Sequence, residues 1–113
     1  MNKQLAAPHI DFADSEYVAF QMTEHQNLTI FMKNWQEESL RIVFKHVIEF
    51  IYKLGDVPKD LYELDNSSFL TEALQLKYTS TPPNHPYKHF QLEDIDDFPF
   101  IQVIAESVTV IKE

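Results

Sequence analysis

The sequence predicts an α+β protein: an antiparallel sheet of about six strands, a meander that is curled or sandwich-like, with one short helix packed on it. Apolar and polar residues alternate over several short segments, the period of a strand with one buried face. Phe occurs nine times and Tyr five times, and strands favour aromatic residues. One segment, residues 67–77, combines helical spacing with a capping signal.

In the first part of the chain, two short alternating segments predict a meander. Residues 1–15 read as a loosely ordered N-terminal arm of a single domain that spans residues 1–113. Residues 17–22 and 28–33 then alternate as strands, joined by a turn at 25–27. The polar segment 34–39, which contains Trp35, predicts a second turn.

Residues 39–54 fit either a strand or a helix. Even-numbered positions such as Leu40, Ile42 and Phe44 are apolar, and odd-numbered ones such as Arg41 are mostly polar, as in a strand. A helical stripe fits equally well, and a glycine follows it. The richness in Val, Ile and Phe favours a strand. We therefore expect a strand over residues 40–50, with His46 half-buried and hydrogen-bonded on its apolar face.

The second half predicts the helix and the remaining strands. Residues 55–59 form a turn, because Pro58 cannot donate to a ladder. Residues 60–64 alternate weakly, and Asn66 is a good N-cap for the helix. Three prolines make residues 79–86 a loop. Strands are expected at 87–92, 98–105 and 107–112, with an acidic turn at 93–97.

The acidity of the chain limits its partners. There are 18 acidic residues against nine basic ones, a net charge of −9. We expect no nucleic acid and no membrane as partners, because phosphate groups are bound by Lys and Arg. An acidic surface attracts a basic protein and speeds the encounter. The alternative is that the charge serves only solubility.

The absence of cysteine and the scarcity of glycine exclude several chemistries. The chain has no Cys, hence no thiolate nucleophile and no cysteine-based metal site. Its one glycine, Gly55, excludes glycine-rich phosphate loops. No signal peptide or apolar run of membrane length is visible, which predicts a cytoplasmic protein.

Neither metal binding nor catalysis has a good sequence signal. The acidic run at 93–97 lacks the glycine of a calcium loop. His85 and His89 have a helical metal-ligand spacing, but prolines surround them. No strained elbow accompanies Ser and His for nucleophilic catalysis. We therefore expect no cofactor, no metal and no catalytic residue.

Aromatic residues beside carboxylates are the candidate binding residues. Trp35 lies in a polar turn, where it either packs back onto the end of the sheet or anchors a partner. The same choice applies to Phe98, which follows the acidic run. The predicted binding residues are Trp35, Glu37, Glu38, Asp94, Asp96, Asp97 and Phe98.

Four segments, at 28–35, 40–50, 66–72 and 87–94, occur in a suggestive order. A meander with a Trp turn leads to a helix that opens with Asn66–Ser67, and then to a strand with Lys88–His89–Phe90. In this the chain resembles a group of small acidic bacterial β-rich proteins of unassigned function, some of them immunity-like proteins encoded beside toxins. The resemblance implies a binding role and no catalytic residue.

These observations together predict a noncatalytic protein-binding module, in its most concrete form an immunity-like protein that masks a basic toxin or enzyme. One alternative is a small enzyme or ligand carrier with a pocket between helix and sheet. Another is a homo-oligomeric structural subunit joined through an exposed sheet edge.

Overall fold

The protein folds as two antiparallel sheets with one helix, seen in a computed structural model that describes residues 3–10, 12, 15–23, 25–55 and 57–112. The elements are β1 (Lys3–Leu5), β2 (Glu16–Met22), β3 (Leu28–Lys33), β4 (Ser39–Lys45), β5 (Glu49–Tyr52), β6 (Pro58–Leu64), α1 (Ser68–Lys77), β7 (Lys88–Asp94), β8 (Pro99–Ala105) and β9 (Ser107–Lys112). Sheet A has the strand order β1-β6-β7-β8-β5, and sheet B has the order β2-β3-β4-β9. The α+β class fits broadly, but these residues form nine strands in two sheets rather than about six in one.

A sharply bent ribbon connects the two sheets. β4 pairs with β9 in sheet B, and the same two chain segments continue as β5 paired with β8 in sheet A. The bend falls at residues 46–48 on one segment and at Glu106 on the other. Strands that change sheets at such bends form the corners of packed sheets.

The bend corrects the prediction of one continuous strand over residues 40–50. His46 has a φ of 55°, and its N–H donates to Asn27 Oδ1. The pleat is therefore interrupted, and Val47 turns into the core. The His46 side chain is exposed and paired with Glu106, rather than half-buried as expected.

Burial along this segment follows the prediction only before the bend. Leu40, Ile42 and Phe44 are buried, as expected. Ile48 and Phe50 are half-buried, and so are Arg41 and Glu49. The expected difference in burial between the two pairs is therefore absent. The alternation of the sequence continues through the bend and therefore did not reveal it.

The main core lies between the sheets. Residues from the inner faces of β3 and β4 pack against those of β6, β7 and β8 in one cluster. Phe44 and Phe90 meet across the sheets, with ring centroids 5.7 Å apart. At the other side Phe20 of β2 contacts Phe50 of β5. Phe44 and Phe90 thus bury large apolar areas in the main core, whereas Phe20 remains 40% exposed.

The helix covers part of the outer face of sheet A. Leu70, Ala73 and Leu74 pack against Ile104 of β8. α1 begins one residue later than the predicted start at residue 67 and ends as predicted at Lys77. The N-cap is Ser67, whose Oγ accepts the Leu70 N–H at 3.1 Å. Asn66 was the wrong choice, since it precedes the cap with a φ of 53°.

Two segments that the sequence presented as irregular take part in sheet A. Within the predicted arm, β1 pairs with β6, and Phe12 is buried in the main core; residues 1, 2, 11, 13 and 14 lie outside the described residues. The predicted turn at 55–59 gives way to β6 at Pro58. Proline is tolerated there because it is the first residue of the strand and adjoins a register shift.

No helix in the described part of the chain is long and apolar enough to cross a membrane.

Candidate functional site

Three hairpin turns share one hydrogen-bond pattern. They span residues 23–27, 34–38 and 94–98. In each, the first N–H donates to the fifth carbonyl, and the fourth N–H donates to the first carbonyl. The fourth residue has a positive φ: Gln26, Glu37 and Asp97, each close to 60°. The last two turns contain all seven predicted binding residues.

Asp94 builds the β7–β8 turn. Its Oδ1 accepts the N–H groups of Asp96 at 2.9 Å and Phe98 at 3.0 Å. The side chain is buried, with the residue 3% exposed. Asp94 therefore shapes the turn rather than presenting a carboxylate to a partner.

The β5–β6 connection packs against this turn. The Ile95 N–H donates to the Val57 carbonyl at 3.0 Å. A Cβ on Gly55 would lie 2.6 Å from Cβ of Phe100 and 3.2 Å from Oδ2 of Asp94. Only glycine allows this approach, which places Leu54 beside the turn.

These two loops expose apolar residues around carboxylates. Leu54 is 86% exposed, Ile95 55% and Phe98 38%. Leu54 and Phe98 line a shallow depression of about 400 Å³, together with Gly55, Asp94 and Asp96. We call Leu54, Ile95, Asp96, Asp97 and Phe98 the loop surface. Leu54 and Phe98 share the depression, and Ile95 lies in the same turn as Phe98. Clustered exposed apolar side chains are typical of interaction sites.

The two exposed carboxylates of the loop surface differ in their surroundings. Asp97 Oδ1 accepts a hydrogen bond from Lys59 Nζ at 2.6 Å. This hydrogen bond lowers the pKa of Asp97 and raises that of Lys59. No described residue forms a hydrogen bond or ion pair with the Asp96 carboxylate. Asp96 is therefore the carboxylate most available to a basic partner.

The Trp35 turn forms a separate group. Trp35 is 62% exposed, so it does not pack back over the end of the sheet. It borders a depression of about 220 Å³ with His9, Ile10 and Lys112, which shares no lining residue with that of the loop surface. The structure thus splits the predicted binding residues between a turn of sheet B and a turn of sheet A.

The carboxylates of the Trp35 turn are only partly available. Glu38 accepts from Asn34 Nδ2 at 3.0 Å and pairs with Lys112 at 3.1 Å. These hydrogen bonds, that from Asn34 first, lower the pKa of Glu38. Glu37 is exposed at the positive-φ position.

The histidines do not come together. His89 is buried on β7 beneath α1, where Nδ1 lies 2.7 Å from Ser67 Oγ. His85 stacks on Tyr87 and accepts its N–H at Nδ1. Among the described residues, no three His, Asp or Glu side chains are grouped so that they could hold a metal ion.

A further depression lies between the helix and the ribbon. It has a volume of about 230 Å³, and Ile48, Glu49, Ala73 and Lys77 are among the residues that line it. Among the residues that line this depression, Lys77 is the one lysine and Glu49 is the one acidic residue. This depression lies where the ligand-carrier alternative expects a pocket, between the helix and the sheet.

Sequence reasoning missed two residues of the loop surface, Leu54 and Ile95. The exposure of Ile95 could have been predicted, because an isoleucine inside an acidic turn is expected to face solvent. The sequence signal for Leu54 was weaker, because its position just before Gly55 also fits the last residue of a buried apolar stripe.

Comparisons with models of known families, with curated proteins and with solved structures found no match to this chain.

Proposed function

We propose that the protein is a noncatalytic protein-binding module whose loop surface binds a basic, partly apolar protein. The observation that carries this proposal is the exposure of Leu54, Ile95 and Phe98 on the two loops that also expose the Asp96 carboxylate. Burying such side chains gives affinity, and the carboxylates select a partner of opposite charge. In its most concrete form the partner is a toxin or enzyme that the module masks.

The chemistry of the described polar groups supports a binding role over a catalytic one. Ser67 and His89 are hydrogen-bonded, but both are buried and hold the start of the helix. A nucleophile must reach its substrate, and this hydroxyl already accepts a backbone N–H. The exposed carboxylates of the loop surface have no histidine among the lining residues of its depression.

Comparative capture tests the proposal. Immobilised wild-type protein and an Ile95→Ser variant are exposed to lysate of the native host, and retained proteins are quantified. Leu76→Ser is the matched control, because Leu76 is equally apolar and 83% exposed on α1. We expect a basic protein that wild type and Leu76→Ser retain and Ile95→Ser loses. Equal retention by all three proteins would contradict the proposal.

Binding kinetics with the purified partner then separate charge from apolar contact. Asp96→Asn should slow association and reduce its salt dependence, because rim charges act mainly on the encounter. Ile95→Ser should raise the dissociation rate about tenfold or more if Ile95 is an anchor. Glu72→Gln on the exposed side of α1 is the charge control. Unchanged rates for both variants would show that binding lies elsewhere.

The Trp35 turn is tested in the same experiment. Trp35→Ala should cost about 2 kcal/mol or more of binding free energy if the tryptophan is a second anchor. A loss with Trp35→Ala alone would move the interface from sheet A to sheet B. Circular dichroism confirms that each variant is folded.

A further inference from the structure

Both sheets are open, so four strands have a free edge in the described structure: β1 and β5 in sheet A, β2 and β9 in sheet B. Exposed edges template pairing with other chains, and proteins protect them by short strands, bulges or charges. β1 has three residues and β5 four. β2 has a register shift between Tyr17 and Ala19. β9 is neither short nor bulged, with six residues in unbroken register.

The composition of β9 makes this edge more prone to pairing. Val108, Thr109, Val110 and Ile111 are consecutive β-branched residues, the types that pack best on a sheet. Val108 and Val110 face the core and remain half-buried. The one charge of the strand, Lys112, lies at its end.

The hydrogen-bond pattern shows which backbone groups are free at this edge. The Asn34 N–H donates to the Glu38 carbonyl where the β3–β4 hairpin closes. Even-numbered residues of β4 therefore bond to β3 and odd-numbered ones to β9, because the direction alternates along a strand. Val43 is opposite Thr109, so Thr109 bonds to β4. Val108 and Val110 direct their backbone groups outward.

We propose that a second copy of this chain pairs antiparallel with β9, with Thr109 opposite Thr109 of that copy. In this register the outward N–H and carbonyl groups of Val108 bond to those of Val110 in the second copy. Those of Val110 bond in the same way to Val108 of the second copy. Glu106, just before the strand, comes opposite Lys112 at its end, so opposite charges meet across the two-fold axis, in addition to the pairs that they form within each copy with His46 and Glu38. The two B sheets join into one eight-stranded sheet, twice the four strands of each, and the valines complete their burial.

Sedimentation measures this association from about 1 μM to several hundred micromolar. We expect wild type to dimerise with concentration. Thr109→Lys places two like charges directly opposite each other and should weaken dimerisation about tenfold or more. Gln21→Lys is the matched control. Gln21 is exposed on β2, the other edge strand of sheet B, and is aligned with Thr109 across the sheet through Thr29 and Val43. A wild-type monomer throughout, or a dimer that only Gln21→Lys disrupts, would overturn the proposal.

A cross-link gives a second readout that does not depend on a destabilising charge. The chain has no Cys, so Thr109→Cys introduces one thiol per copy. Directly opposite residues of a non-hydrogen-bonded pair have Cα atoms about 4.5 Å apart, within disulfide range. Thr109→Cys should form a covalent dimer on mild oxidation, and Gln21→Cys should not. Cross-linking of both variants to the same extent would overturn the proposed register. The loop surface is unchanged in all these variants, so its own test can fail independently.

Discussion

Positive φ angles at ordinary residues replace glycine in the turns of this protein. Gln26, Glu37 and Asp97 occupy the left-handed position of three equivalent hairpin turns. A side chain there costs roughly 1–2 kcal/mol, because Cβ approaches the following carbonyl oxygen. The low glycine content of the sequence is therefore accompanied by strain at defined positions.

Glycine at these positions should stabilise the fold. We expect Gln26→Gly and Glu37→Gly each to raise the free energy of unfolding by about 0.5–1 kcal/mol, the strain relieved less the entropy that glycine loses. Urea denaturation measures this. Gln36→Gly is the control, because Gln36 lies in the same turn without a positive φ, and it should destabilise. A loss of stability in both test variants would contradict the strain argument.

Single residues of the candidate site were only partly predictable. Asp94 and Asp97 were both expected to contact a partner. Asp94 is instead buried and accepts hydrogen bonds within the turn, whereas Asp97 is exposed and pairs with Lys59. Those differences come from the register of β6 beside β7, which no local pattern contains. The polar neighbours of Trp35 left open whether it packs back onto the sheet, and only the structure shows it 62% exposed.

At the scale of elements, the hydrogen bond between Ser67 and His89 joins α1 to sheet A. The hydroxyl caps the helix and lies 2.7 Å from Nδ1 of His89, and Phe69 packs edge-on against the imidazole. Burial lowers the pKa of His89, and the side chain of Gln102 opposes this shift only in part. The folded protein therefore favours the neutral ring.

This linkage predicts a pH dependence of stability. Below about pH 6.5, the ordinary pKa of histidine, the unfolded chain binds a proton at residue 89 more readily than the folded one. The free energy of unfolding should therefore fall as the pH is lowered through this range. His89→Gln should flatten this pH slope relative to wild type in urea denaturation. His25→Gln, in an exposed turn, should keep the wild-type slope; the same slope in all three proteins would contradict the linkage.

Local patterns predicted the elements that have one buried face and plain boundaries. β3 and β9 have the predicted bounds, and α1 differs by one residue at its start. The bend at His46 and the division into two sheets were not predicted. They depend on long-range pairing of β4 with β9 and of β5 with β8, which a continuous alternation of apolar residues does not specify.

At the scale of the whole molecule, acidic residues outnumber basic ones by two to one. Lysines pair with some of these carboxylates, as Lys59 does with Asp97 and Lys112 with Glu38. Excess like charge within a radius of gyration of 13.9 Å destabilises the compact state through self-repulsion. The charge that would attract a basic partner therefore has a cost in folding stability.

Salt should reduce that cost. The screening length falls from about 30 Å at 0.01 M to about 8 Å at 0.15 M salt, so repulsion across the molecule is lost over this range. Screening also weakens the exposed ion pairs, but unpaired carboxylates are in excess. We expect the free energy of unfolding to rise, by on the order of 1 kcal/mol.

Two charge variants test whether repulsion is the cause. Asp96→Asn removes an exposed carboxylate from the loop surface and should stabilise the protein at low salt, with an effect that fades as salt is added. Lys45→Gln removes an exposed cation and should do the opposite. Thermal unfolding across a sodium chloride series measures both effects. If Asp96→Asn is less stable than wild type at low salt, the turn and not the net charge determines its effect; if it is more stable and also associates more slowly with a basic partner, the carboxylate is retained for binding at the expense of stability.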